Sequence, residues 1–322
     1  MKCHYRISLP QALTRNVFLS RRHPLPNSRR DNRNLGPPPI IAHAGDLLQR
    51  YDVLFCDVWG VIHNGLTAFT GACSALQTFR RAGGCVILVS NAPVPKHRVE
   101  AMLESRHVPR DAWDDIVSSG DIALTHVAGR GFKQLYCIGP QDRDQALFGA
   151  LAAKSVPLED AEAIICTGLT DDRHEVPNDY LPLLERAKAR HLPFVCANPD
   201  FVVDVGGTLL YCAGAIADLY AHMGGEVYWA GKPYLSAYET AHARAESLRD
   251  RNIPRSKALV IGDAVRTDLK GAENFGCDAL FVASGIHRHE TMDGDALSPD
   301  KLARLFTPDA PKAIAAMVEL AW

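Results

Sequence analysis

The chain has 322 residues, 47% of them hydrophobic and 22% charged, with a formal net charge of −2. That is the make-up of a globular protein long enough to bury a core without staples, and it excludes wholesale disorder, collagen and coiled coil. The charge is uneven: residues 1–34 hold eight Lys or Arg against one acid, Asp31, which leaves 27 bases against 36 acids in the acidic remainder, a poor match for nucleic acid.

Residues 1–40 read as a basic tail rich in Arg, Asn and Pro. It is expected to be a disordered extension or translation from an upstream start, with an Arg-rich, acid-poor transit peptide as the third reading. The globular chain is expected from Ile41. YDVLFCDV (51–58) is a short apolar run and predicts a buried strand. Ala72, Ala75, Leu76 and Phe79 give residues 70–82 helical spacing, ended by Gly83-Gly84. CVILVSNA (85–92) predicts a second strand, residues 95–104 a helix with Pro95 in its first turn, and another helix follows Ser118-Ser119-Gly120. Strands are predicted at KQLYCIG (133–139), EAIICTG (162–168) and PFVCAN (193–198), with a helix over 178–190 between the last two. Helices over 214–223 and 234–251 precede the strands KALVIGD (257–263) and DALFVAS (278–284). Residues 311–321 read as an amphipathic helix. Repeated strand–helix units imply an α/β protein with a mainly parallel sheet, whose chemistry sits at the carboxyl ends of its strands.

The nine cysteines are scattered singly, with no C-x-x-C pair. Neither a zinc site nor a disulfide framework is indicated, and buried reduced thiols in a cytoplasmic protein are expected. No apolar run is long enough to span a bilayer, so no membrane partner is expected. Trp113, Trp229 and Trp322 read as packing residues.

Three strand ends carry polar residues: Asp57, Ser90-Asn91 and Asp263. Each alone is a turn signal, and Lys232 in GKP alone is a surface lysine. Their order is informative: strand-DxxGV, strand-SN, a long gap, GKP, then strand-GDxxxxDxxGA. This resembles the haloacid dehalogenase superfamily. It is closest to class IIA, the NagD-like and 4-nitrophenyl phosphatase-like subgroup with a large cap inserted between the second and third motifs. SSG (118–120), CTGL (166–169), ANPD (197–200), GAIA (214–217) and GDAVRTDLKGA (262–272) support the likeness, which covers about residues 50–290. The resemblance implies a Rossmann-like core at 41–130 and 223–322 with an inserted α/β cap of the C2 type at 131–222. It implies a Mg²⁺-dependent phosphohydrolase acting on a small phosphorylated metabolite. A homodimeric assembly is allowed, not required.

Carried over by motif position, Asp57 is the expected nucleophile. Asp57, Asp263 and the backbone carbonyl of Trp59 are expected to ligate Mg²⁺, with Asp268 in support. Ser90 and the Asn91 backbone N–H would hold the phosphoryl oxygens, and Lys232 would offset charge. Asn198 and Asp200, in the cap loop, are candidate substrate contacts. Gly60 and Gly65 would let the chain turn tightly. Asp171, Asp172, Arg173 and His174 read as a solvated charged loop or as specificity contacts, and His287 and His289 lie at the same sheet edge as the site.

One departure stands out. The phosphatase pattern is Asp-x-Asp, whose second acid protonates the leaving oxygen and then activates water. Here the string is DVWGV, and an indole cannot shuttle a proton at neutral pH. Such an acid/base contributes about 10²–10⁴-fold. Three readings follow: another group such as His63 or a cap residue replaces the acid; the substrate has a good leaving group, such as an acyl or aryl phosphate; or the protein binds a phosphorylated ligand and turns it over slowly or never, a regulatory role. A weaker fourth is C–P or C–halogen cleavage, and the retained metal carboxylates argue against dehalogenation.

Overall fold

The computed structural model describes residues 36–205 and 208–322, so residues 1–35 of the expected tail lie outside the described residues. Contacts with the fold begin before Ile41: Pro39 O accepts from Ala316 N at 2.9 Å, and Ile41 N donates to Ala316 O at 2.9 Å.

Apolar runs give the fully buried strands β1 (Val53–Cys56) and β2 (Cys85–Ser90), followed by β3 (Asp115–Ser118). A second group follows: β4 (Gln134–Ile138), β5 (Lys154–Ser155), β6 (Ala163–Cys166) and β7 (Phe194–Cys196). A hairpin of β8 (Val202–Val205) and β9 (Thr208–Tyr211) leads to β10 (Val227–Trp229). The chain closes with β11 (Ala258–Gly262), β12 (Asp278–Val282), the small hairpin β13 (Met292–Asp293) and β14 (Ala296–Leu297), and β15 (Ala315–Met317).

Two parallel sheets result. One has the order β15-β12-β11-β1-β2-β3 and the other β10-β7-β6-β4-β5. Alternation along β1 divides the first sheet's core. Val53 and Phe55 pack with Ala237, Tyr238 and Ala241 of the helix Leu235–Arg249. Leu54 and Cys56 pack with Ala72, Leu76 and Phe79 of the helix Thr70–Arg81 on the opposite face. Helices on both faces explain why the strands read as unbroken apolar runs. The fold is therefore a Rossmann-like α/β core with an α/β cap inserted between β3 and β11. The cap's sheet takes in Val227–Trp229, beyond residue 222, where the family resemblance ends the cap.

The C-terminal segment corrects an expectation. Residues 311–321 do not form an amphipathic helix; Ala315–Met317 is β15, paired in parallel with β12. Ala315, Ala316 and Met317 are buried as one continuous apolar run at the sheet edge. Periodicity cannot separate so short a run from a helical stripe.

Strand order positions the site. β1, β2 and β3 run outward one way, and β11, β12 and β15 the other. The order reverses between the neighbours β1 and β11, and the crevice beyond their carboxyl ends is where open α/β sheets place ligands.

Candidate active site

Asp57 follows β1 directly, its backbone N–H donating to Ile261 O of β11 at 2.8 Å. Asp263 follows β11, and its Oδ2 accepts from Ile286 N at 2.6 Å. The chain then makes one π-helical turn, Val265–Leu269, of the kind often found at functional sites. That turn brings Asp268 back to the crevice, where its Oδ2 accepts from Ala264 N at 3.1 Å. Lys232 enters from the loop after β10. Its Nζ donates to Asp57 Oδ1 and, at 2.7 Å, to Asp268 Oδ1. Carboxylate oxygens of Asp57, Asp263 and Asp268 lie within 4.8 Å of one another. Gly60 is held at φ +88°, and a Cβ there would strike the Asp263 carboxylate.

Charge in this cluster does not balance. Burial pushes Asp57 upward, with Lys232 opposing and Asp268 reinforcing the shift. Burial also pushes Asp263 well up, and the charges of Asp57 and Asp268 add to it. Burial disfavours the Lys232 ammonium, but Asp268 and Asp57 outweigh that and hold it well above the ordinary lysine range. Fully ionised, three carboxylates against one ammonium would leave two negative charges in a buried cluster. A hard divalent cation with oxygen ligands fits that donor set in charge and chemistry. Among the described residues no hydrogen-bond donor reaches the Trp59 carbonyl oxygen, which leaves it available to the same cation.

Ser90 ends β2, and its Oγ accepts from Ala92 N at 3.2 Å. Asn91 has a larger part than its backbone N–H alone suggests. Its Nδ2 donates to Asp200 Oδ1 at 2.9 Å and to Lys232 O at 3.1 Å. Its Oδ1 accepts from Lys232 N at 2.8 Å and from Ser119 Oγ at 3.2 Å. One side chain thus ties the lysine loop, the cap loop and the helix Ser119–Arg130 together. Nothing in the local sequence announces this, because the partners lie far apart in the chain. Asn91→Ala strands several buried polar groups. It is expected to lower stability by about 1–3 kcal/mol and to reduce turnover, as read by thermal unfolding and steady-state kinetics.

The crevice opens into a cavity of about 810 Å³ between core and cap. Asn198 and Asp200 both line it. Asn198 Oδ1 accepts from Asp200 N at 3.1 Å, which makes ANPD an Asx turn. Burial pushes Asp200 upward. Of the charged loop at 171–174, Asp172 reaches the cavity, paired with Arg143 at 2.6 Å. Asp171 and His174 instead pair with each other in an exposed loop. His289 lines the cavity, whereas His287 faces Glu290 and Val265 N. Trp113 is buried, Trp229 stacks on Tyr234 and Trp322 packs over Gly45.

The sequence matches the haloacid dehalogenase-like hydrolase family over residues 54–150 and a second, HAD-hydrolase-like description over residues 229–307. A solved hydrolase of the haloacid dehalogenase-like family from Brucella suis 1330 is 40% identical, covers 87% of this chain and 100% of its own, and superposes with a TM-score of 0.77. The chain belongs to the haloacid dehalogenase-like family. The class IIA likeness holds as well. A 4-nitrophenylphosphatase of Schizosaccharomyces pombe is 24% identical over 77% of this chain and 88% of its own. In fold, the chain resembles a glycerol phosphate phosphatase from Mycobacterium tuberculosis solved with magnesium, at 22% identity, 81% and 80% coverage and a TM-score of 0.58.

Against that family pattern, the surroundings of Trp59 are built for an indole. Gly65, at φ +90°, lies under the ring, and a Cβ there would stand 2.6 Å from Trp59 Cζ2. His63 packs edge-on against the indole at 5.2 Å between centroids and 72° between planes. Gly65 N donates to His63 Nδ1 at 2.9 Å, so His63 carries its proton on Nε2. That nitrogen is buried and finds no acceptor among the described residues. Burial, then Arg106, pushes His63 down to about 4. His63 is therefore a neutral ring that packs against Trp59, a poor substitute for the absent acid.

Proposed function

We propose that the chain is a Mg²⁺-dependent phosphohydrolase that acts on a small phosphorylated metabolite through an aspartyl-phosphate at Asp57. The observation that carries this is the convergence of Asp57, Asp263, Asp268 and Lys232 at the sheet's switch point. The phosphatase names of its relatives support it. In the first half-reaction an Asp57 oxygen bonds to phosphorus while the ester P–O bond breaks, and its electron pair leaves with the alcohol oxygen. In the second, water displaces Asp57 and gives its proton to solvent. Ser90 Oγ and the Asn91 N–H would hold the transferring oxygens, with Asn198 and Asp200 contacting the rest of the substrate. Lys232 holds Asp57 in place and offsets charge as the bond forms. Asp57, Asp263 and the Trp59 carbonyl would hold Mg²⁺, with Asp268 supporting them. When bound, Mg²⁺ supplies positive charge beside the phosphoryl oxygens.

No helix among the described residues is long and apolar enough to cross a membrane. The eight described cysteines are free, which supports a reducing, cytoplasmic setting. The inserted cap would close over the crevice and exclude water. A second reading, a phospho-ligand-binding protein with little or no turnover, is favoured by Trp59 alone.

Chelation should abolish phosphate release from 4-nitrophenyl phosphate, and Mg²⁺ should restore it. Metal-independent release would contradict the metal assignment, and no release under either condition would favour the binding protein. The same cluster sets a pH dependence. Asp57 and Asp263 are pushed above their unfolded values, so the metal-free protein holds their contribution fully at acid pH. It loses that contribution as pH rises through the folded values. Mg²⁺ competes with those protons. The rise in melting temperature on adding Mg²⁺ should be larger above neutrality than in acid.

A further inference from the structure

The phosphohydrolase reading above leaves the side chain of Trp59 without a part, and the inference rests on that reading. Trp59 stands two residues after Asp57, half-buried and lining the cavity. Among the described residues its Nε1–H meets no acceptor. The buried polar atoms left without partners include Nε1 of Trp113 but not Nε1 of Trp59. The Trp59 N–H is therefore unpaired yet not sealed inside protein, and the open side of the ring is the cavity it lines.

The ring is held where it stands. Its benzo half lies against Gly65, where a Cβ would stand 2.6 Å from Cζ2 and 2.7 Å from Cη2. His63 closes on it edge-on, at 5.2 Å between centroids. His63 is fully buried and anchored twice: Gly65 N donates to its Nδ1 at 2.9 Å, and its carbonyl accepts from Gly60 N at 2.8 Å. Arg106 secures the same turn, its Nε donating to Gly65 O at 2.9 Å and its Nη1 to Met102 O at 2.9 Å. A donor fixed in this way costs no reorganisation when charge develops beside it, which is the condition for electrostatic stabilisation of a transition state.

The donors around Asp57 already have parts. Lys232 holds Asp57 and Asp268, and Asn91 Nδ2 holds Asp200 and the Lys232 carbonyl. Arg143 is paired with Asp144 and Asp172. Arg98 also lines the cavity and has no carboxylate partner among the described residues. It shares one face of the helix Lys96–Ser105 with Ala101, Met102 and Ser105. It also borders a second hollow with Gln145 and Ala146 of the cap helix Gln141–Phe148, which places it at the seam between core and cap. Arg98 is thus the rival donor that a test must separate from Trp59.

We propose that Trp59 is a catalytic residue whose Nε1–H hydrogen-bonds the bridging oxygen of the phosphate ester and stabilises the charge that grows there, without giving up its proton. An Asp57 oxygen bonds to phosphorus as the P–O bond to the leaving group breaks. The electron pair of that bond stays on the leaving oxygen, and the indole proton stays on Nε1. The leaving group departs as an anion and takes its proton from water. Trp59 thereby covers one half of the role of the second acid in Asp-x-Asp: it steadies the leaving oxygen but cannot activate water for the second half-reaction. Gly65, His63 and Arg106 are positioning residues for the indole.

The test uses the full chain with Mg²⁺ and a series of aryl phosphates running from 4-nitrophenyl phosphate to phenyl phosphate (a phenol with a pKa of about 10), as probes of charge on the leaving oxygen. kcat/KM is read because it reports transfer to Asp57 even where hydrolysis of the aspartyl-phosphate limits turnover. Trp59→Phe should lower kcat/KM for phenyl phosphate about 10²-fold, the scale of one lost donor at a developing oxyanion. The loss for 4-nitrophenyl phosphate should be much smaller, because the nitro group already spreads the charge. The dependence on leaving-group acidity should therefore steepen. Benzothienylalanine at position 59, which keeps the shape of the indole and puts sulfur in place of N–H, should steepen it as well, and it keeps the proposal testable if Trp59→Phe loosens the fold. Arg98→Gln should leave the steepness at the parent's value. Losses equal across the series, no loss at all, or steepening by Arg98→Gln instead of by the changes at position 59 would overturn this proposal and leave the phosphohydrolase reading standing. No Mg²⁺-dependent release from any ester would overturn both.

Discussion

Asp57→Asn is expected to remove phosphohydrolase activity, by at least about 10³-fold in kcat, because no second group is placed to take the phosphoryl group. The carboxylates of Asp263 and Asp268 stand beside Asp57, but each is held by a backbone N–H, Ile286 and Ala264 respectively. The amide is nearly isosteric, so the fold should survive. It also removes one of the two negative charges that Lys232 leaves unbalanced. The metal-free variant should therefore unfold no more easily than the parent. Loss of activity with an unchanged or raised melting temperature is the signature that separates a chemical role from a structural one. Activity retained in Asp57→Asn would end the aspartyl-phosphate account.

Lys232→Met has the second largest expected effect, and it should act on both stability and rate. Lys232 is 3% exposed and contacts Asp57 and Asp268. Removing it leaves two carboxylates in the crevice without their counter-charge, a loss of about 3–5 kcal/mol for a broken buried pair. Its folded value is raised, so the contribution is fully present at neutral pH and disappears only when pH climbs through that folded value. Mg²⁺ should return part of the lost stability, since it binds the folded state and supplies the missing charge. The rate should not return with it, because the lysine also sets the direction of the Asp57 carboxylate. A fall of roughly 10²–10³-fold in kcat is expected, the cost of removing one oriented charge donor. Denaturant titration with and without Mg²⁺, together with steady-state kinetics, reads both effects. A variant as stable as the parent without metal would contradict the charge balance drawn for the site.

What the sequence discloses follows from where its physics is local. β1, β2 and β11 are buried on both faces, so their apolar runs are unbroken and the polar residue ending each stands out: Asp57, Ser90-Asn91 and Asp263. The ordered spacing of these words with GKP then identifies the fold. β3 is four residues long and opens on Asp115, whose carboxylate holds Lys96 and Arg244, so it offers little strand signal. β15 was ambiguous for the opposite reason, being too uniformly apolar to show a period. VVDVGGTLLY does carry a legible hairpin signal, two glycines between β-rich runs, and it proves to hang one wall of the cavity. The hidden parts are the non-local ones. Asn91 gathers Ser119, Asp200 and Lys232 through its side chain, and Gly65 makes room for an indole six residues before it. Trp59 itself is visible as a departure from the pattern, but only the structure reveals that its surroundings are fitted to it.

The central claim is covalent chemistry at Asp57, and rapid acid quench tests it most directly. Enzyme with Mg²⁺ is mixed with excess 4-nitrophenyl phosphate, quenched within the first turnover and digested for mass spectrometry. With Trp59 in place of a proton-shuttling acid, water attack on the aspartyl-phosphate has no general base, so the intermediate should accumulate. One phosphoryl group is expected on the peptide carrying Asp57, together with a burst of 4-nitrophenolate, and both should be absent in Asp57→Asn. Product formation with no phosphoryl group on that peptide, or with the group on another residue, would contradict the account.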